Sequence, residues 1–189
     1  DTPVVYAVNG LPWWYFEGTG REDLAPLLTR LDPSRALHDE VGVHRALGCV
    51  ITSSNTLVAP GVVENSTPEN SFVIGEPSGA LTPRLEHVIA ALSAGLPGAQ
   101  ATQTIRQTIW NKLLVNIPSS LLCRLTFSRG ADLTDDPAMA DLFTRLGQEG
   151  AAVARALGVD ADPDSAVRLA RLRKSGHLPS MAQDLQAGR

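Results

Sequence analysis

Residues 110–120 read WNKLLVNIPSS, apolar enough for a core helix yet polar along one row. Ile109, Trp110, Leu113, Leu114, Ile117, Leu121 and Leu122 recur at helical spacing and predict one apolar stripe. The same segment carries Lys112, Asn116 and Ser120, spaced by fours. Four steps of about 100° overshoot a turn by about 40°, so the three form a spiralling polar row about 12 Å long. That row borders the apolar stripe, at the edge of buried territory.

One reading is a solvated shoulder, with the Lys112 stem lying over the core. Two residue choices point elsewhere. Asn and Ser serve an exposed helix interior less well than Glu, Lys or Gln. Pro118 removes a backbone donor and crowds the carbonyl of Leu114, which loosens the helix beside Asn116. Polar groups lining a cleft fit these choices better. There a lysine can protonate a substrate oxygen or hold an oxyanion, Asn116 offers a donor and an acceptor, and Ser120 a hydroxyl. Such a set suits a small carbonyl or carboxylate substrate.

The chain falls into two zones. PVVYAVNG (3–10) reads as a strand, residues 48–65 as two strands broken at Pro60-Gly61, and SFVIGEP (71–77) as another. Residues 20–33 hold one or two helical turns. TPRLEHVIAALSAG (82–95) has Thr, Pro and Gly where a helix begins and ends, and a last short strand lies near 98–104. After Gln103 strand signals vanish. Helices are expected over 103–128, over 135–158 behind Asp-Asp-Pro, over 162–176 with Gly176 as the stop, and from Pro179 onward. The fold class is therefore α/β followed by all-α, with domains at 1–102 and 103–189.

Two further stretches carry chemistry. Asn9-Gly10 follows the first strand; it reads as a tight turn or as a strand end where α/β folds place ligands. Trp13, Trp14, Tyr15 and Phe16 follow it, as the wall of a cleft or as plain packing. In PSMAQDLQAGR (179–189), Ser180 reads as a helix cap or first-turn residue, either a plain cap or, with the free amides of that turn, an anion site; Asp184 and Arg189 lie further along.

The totals exclude several classes. The chain has 189 residues, is 43% hydrophobic and 19% charged, and carries a net charge of −4. No basic stripe interleaved with aromatics suggests nucleic acid. No apolar run reaches the roughly 20 residues of a membrane helix, and no signal peptide is visible. Cys49 and Cys123 sit in apolar surroundings and read as buried thiols of a reducing cytosol. His38, His44, His87 and His177 lack metal-ligand spacing, and no metal is expected. The start at Asp1, without methionine and already strand-like, suggests a piece of a longer protein.

In combination VNGLPWWYF (8–16), TSSNTLVAPGVVEN (52–65), IWNKLLVNIPSSLLCRLT (109–126) and PSMAQDLQAGR resemble the ketopantoate reductase family, over nearly the whole chain. The resemblance implies the later part of a Rossmann-type NADP-binding domain at 1–102. A truncated helical domain like that of 6-phosphogluconate dehydrogenases would follow at 103–189, with the active site in the cleft between. It implies NADPH-dependent reduction of a small 2-oxo acid, 2-dehydropantoate above all, to pantoate on the route to pantothenate. Lys112 falls on the family's catalytic lysine and Asn116 on a substrate-binding asparagine. Ser120 falls where relatives can carry a second asparagine, and Ser180 on the serine that binds the substrate carboxylate. Asn9, with Gly10, falls at the strand end near the nicotinamide. The family's G-x-G-x-x-G loop would lie upstream of Asp1 and its active-site glutamate shortly after Arg189, so the piece alone is expected to be inactive. The resemblance also implies a cytoplasmic enzyme and allows a homodimer paired through the helical half. Two rivals are another β-hydroxyacid dehydrogenase and a non-catalytic helical interaction module.

Overall fold

The computed structural model describes residues 2–66, 70–161, 169–170, 172–173 and 178–188. The helix expected over 162–176, with Gly176 as its stop, falls mostly outside them, as do His177 and Arg189. The chain divides into two compact units, Asp1–Ile109 and Trp110–Arg189.

The first unit is built on a four-stranded mixed sheet of β1 (Val4–Ala7), β2 (Ala46–Thr52), β5 (Ser71–Gly75) and β6 (Ala99–Ala101), in that order. β1 runs parallel to β2, β2 antiparallel to β5, and β5 parallel to β6. Residues 48–65, read as two strands, are the end of β2 plus a separate hairpin of β3 (Asn55–Ala59) and β4 (Val62–Asn65). Ser53-Ser54 interrupts the apolar run, and Gly61, at φ 75°, closes the tip beside Pro60. Between β1 and β2 the chain makes a short 3-10 helix over Glu22–Leu31 and a single wide turn over Leu37–Val41.

Side chains alternate across the sheet. One face presents Leu47, Cys49 and Ile74 to α1 (Pro83–Ser93), whose Leu85 is fully buried among them. α1 begins as its sequence predicts: the Thr82 hydroxyl accepts from the Leu85 amide, and Pro83 occupies the first turn, where no donor is lost. On the other face Gly48 and Gly75 pair across β2 and β5. A methyl group on Gly48 would lie 2.7 Å from the Trp14 ring and 2.8 Å from Ile105. The paired glycines thus make a flat floor on which an indole and an isoleucine rest.

The second unit holds most of α2 (Ile105–Thr126), then α3 (Gly130–Asp135), α4 (Pro137–Ala156) and α5 (Ser180–Gln186). The Asp136 carboxylate caps α4 by accepting from the amides of Ala138 and Met139, and Pro137 follows it, as the Asp-Asp-Pro signal predicts. Leu122, Cys123, Leu133, Phe143 and Leu172 make its core. α4 approaches α2 closely at Gly150, where a methyl group would come within 2.9 Å of Leu114 Cδ2. Among the described residues no helix is long and apolar enough to cross a membrane, and no cluster of His, Cys, Asp or Glu could hold a metal ion.

Candidate active site

α2 stays helical through Pro118, which is fully buried. Its packing corrects the single-stripe expectation. Leu114, Pro118 and Leu122 are buried at four-residue spacing. Ile117 and Leu121 instead lie on a second apolar row with Leu125, 40%, 43% and 69% exposed. Leu114 and Ile117 are three residues apart, which sets the two rows about 60° apart around the helix.

Lys112, Asn116 and Ser120 are all half-buried, so the polar row lies at a margin of the core rather than on a free surface. Hydroxyls elsewhere on α2 are spent on the preceding turn. Thr108 donates to the Thr104 carbonyl, Ser119 to that of Val115 at 2.6 Å, and Thr126 to that of Leu122. Neither the Asn116 amide group nor the Ser120 hydroxyl has a hydrogen-bond partner among the described residues. A half-buried amide or hydroxyl left unpaired costs free energy unless water or a ligand completes it. The helix therefore presents a cation followed by two uncommitted polar groups, a set that can hold and protonate a small oxyanion.

Ser180 is the first residue of α5 and exposed; Pro179 stands at the cap position, and no side chain caps this turn. Of the two places its sequence allowed, cap or first turn, Ser180 takes the first turn. Asn9 and Gly10 follow the end of β1. β1 continues in parallel with β2, so Asn9-Gly10 closes no hairpin. Asn9 is exposed, Gly10 has φ 85°, and nothing lies within 4 Å of where its Cβ would be. A ligand could approach that backbone closely. Asn9 and Gly10 belong to the first unit; Lys112, Asn116, Ser120 and Ser180 belong to the second.

The aromatic run packs rather than lines a wall. Trp14, Tyr15 and Phe16 are buried. Trp13 is half-buried, edge-on to Tyr6 at 5.8 Å and to His38 at 6.2 Å. What holds this run was invisible in the sequence: Arg106, in the first turn of α2. Its guanidinium donates to the carbonyls of Tyr15 at 2.8 Å, Glu17 at 2.6 Å and Pro77, and lies 5.7 Å from the Trp14 and Tyr15 rings. Burial pulls its pKa below the ordinary arginine value. An arginine among threonines and glutamines reads as a solvated charge, so no local signal marked it.

Glu76 was equally hidden. It is 2% exposed and accepts from Thr82 at 2.5 Å and from Arg84. Burial alone would push its carboxyl up, but the hydrogen bonds from Arg84 and Thr82 and the Arg84 charge outweigh it and hold the pKa below the usual range. Arg84 also donates to the carbonyls of His44 and Ala46, so one guanidinium joins the end of β5, the start of α1 and the start of β2.

Comparison with known proteins now bears on these features. Residues 104–189 match the family described as the C-terminal domain of ketopantoate reductase PanE/ApbA. That match contains Lys112, Asn116, Ser120 and Ser180. Over the whole chain, a 2-dehydropantoate 2-reductase of Mesorhizobium japonicum is 33% identical. Residues 104–189 belong to the ketopantoate reductase family as its C-terminal domain. The chain spans 58% of the Mesorhizobium protein, and about half the length of other curated relatives. A solved structure from Ralstonia solanacearum, described as a candidate ketopantoate reductase, superposes with a TM-score of 0.84 at 30% identity. It covers 98% of this chain and 57% of that one. A D-mandelate dehydrogenase solved with NADH and anilino(oxo)acetate shares the fold, with a TM-score of 0.72 at 21% identity over 99% of this chain and 55% of that one. Ketopantoate reductases of this kind join a Rossmann-type domain to a helical C-terminal domain, the α/β-then-all-α order expected from the sequence.

Proposed function

We propose that the protein reduces a small 2-oxo acid, 2-dehydropantoate first among them, to the 2-hydroxy acid with NADPH as the hydride donor. The observation that supports this most is the α2 row: Lys112 half-buried, followed by the unspent Asn116 amide and Ser120 hydroxyl, in a domain of this family.

The nicotinamide supplies the hydride when bound, and Asn9 with the open backbone at Gly10 suits its approach. The chain's own residues do the rest. The Lys112 ammonium faces the ketone oxygen and donates a proton to the alkoxide as negative charge develops there, which is where preorganised charge counts most. Asn116 hydrogen-bonds the substrate beside the keto group, Ser180 takes its carboxylate, and Ser120 offers a further hydrogen bond along the row. Two fixed ends hold the keto carbon in one orientation, so that hydride and proton arrive on target. This reading implies a cytoplasmic enzyme and the pairing of two copies through the helical half.

The test is nicotinamide oxidation by the full-length protein across a panel of 2-oxo acids: 2-dehydropantoate, shorter branched acids and aryl-substituted ones, each with NADPH and NADH. The expected result is highest kcat/KM for 2-dehydropantoate with NADPH. No oxidation with any 2-oxo acid would refute the proposal.

A further inference from the structure

In the stretch Ser180-Met181-Ala182-Gln183-Asp184-Leu185 the proposed function involves only the serine. Gln183 has its own geometry. Its side-chain amide donates to the Leu178 carbonyl at 2.7 Å, folding back over the segment that enters α5. The backbone amides of Ala182 and Gln183 both donate to the Pro179 carbonyl, at 2.9 and 3.1 Å. Ala182 is fully buried, whereas Ser180, Met181 and Asp184 are exposed.

α5 has seven residues, too few to be helical in isolation, so tertiary anchors set where its first turn sits. Pro179 has no amide hydrogen and restricts Leu178 to extended backbone, so the entering segment cannot be tied down through its own donor at 179. The buried Ala182 is such an anchor, and the Gln183 side-chain amide ties the entering segment to the helix that Ala182 holds; Ser180 is two residues from the first and three from the second. We infer that Gln183 is a positioning residue: by holding the Leu178 carbonyl it fixes Leu178-Pro179, and so the place of the Ser180 hydroxyl. This rests on the proposed role of Ser180 toward the substrate carboxylate.

The experiment is steady-state kinetics of the full-length protein with 2-dehydropantoate and NADPH. It compares wild type, Gln183→Met, Gln183→Lys, Ser180→Ala and the Gln183→Met/Ser180→Ala double variant, with far-UV circular dichroism of each. Methionine keeps the length and loses the donor; lysine keeps a donor of similar reach. Gln183→Met should raise KM for the oxo acid about fivefold, roughly the effect of one hydrogen bond, with kcat within twofold and KM for NADPH unchanged. Gln183→Lys should recover most of that loss. In the Ser180→Ala background, Gln183→Met should add less than twofold, because both act through one group. If Ser180→Ala raises KM and Gln183→Met does not, or if their effects multiply, the inference is wrong and the role of Ser180 stands. If Ser180→Ala leaves KM unchanged, the role of Ser180 falls and the inference with it. A Gln183→Met protein without the native spectrum also overturns it, since the bond would then hold the fold rather than the serine.

Discussion

Replacing Arg106 by alanine tests how the first unit is held together. The guanidinium serves three carbonyls, those of Tyr15, Glu17 and Pro77, and lies against two aromatic rings. Hydrogen bonds from a charged donor are worth about 1.5–3 kcal/mol each, and the low end applies because Arg106 is only half-buried. The ring contacts add about 0.5–1 kcal/mol each, and the three carbonyls would remain in place without a donor. The low ends of these ranges sum to about 5.5 kcal/mol. For a unit of about 100 residues, each kcal/mol shifts Tm by roughly 4–8 °C, so a drop of at least about 20 °C is expected. Thermal unfolding followed by far-UV circular dichroism and by tryptophan emission reads it, since Trp13 and Trp14 lie in the segment that Arg106 holds. Arg106→Lys should recover only part, because a compact ammonium cannot fork toward three carbonyls. A Tm within about 2 °C of wild type for Arg106→Ala would mean that the guanidinium does not hold the aromatic segment in place.

Glu76, whose pKa is depressed in the folded chain, contributes stability that is fully present above its unfolded value of about 4.3 and is lost as pH falls through the lower folded value. Denaturant midpoints between pH 7 and 3 should therefore fall more steeply for wild type than for Glu76→Gln; parallel curves would contradict this. Gly48→Ala forces a methyl group against Trp14 and Ile105 and should cost about 1–3 kcal/mol in urea unfolding, whereas an unchanged midpoint would mean that the floor of the sheet is not tightly packed. Burial pushes the Cys123 thiol up to about 11, and Cys49 is also buried, so a disulfide reagent at pH 8 should label neither in the native protein and both after unfolding. Rapid native labelling of Cys123 would show that its core opens readily.

Much of this was legible in the chain because it is local. Thr82-Pro83 and Asp136-Pro137 announce helix starts, and capping needs only residues within one turn. The half-buried place of Lys112, Asn116 and Ser120 followed from helical spacing and from the poor fit of Asn and Ser to an exposed helix. Long-range pairing was not legible. Arg106 meets carbonyls some 90 residues earlier, at Tyr15 and Glu17, and Glu76 becomes a buried carboxylate only because α1 brings Arg84 back to it. The exposure of Ile117 and Leu121 was missed for a related reason. Periodicity assigns apolar residues to a face of the helix, but only packing decides which face is covered. α3 was missed because six residues give too little periodicity to see.

Turnover by the full-length Lys112→Ala variant decides whether Lys112 supplies the proton to the ketone oxygen. With saturating 2-dehydropantoate and NADPH, kcat should fall by about 10²–10⁴-fold while NADPH binding, read by fluorescence titration, stays unchanged. Wild-type kcat in that variant would mean that Lys112 is not the acid.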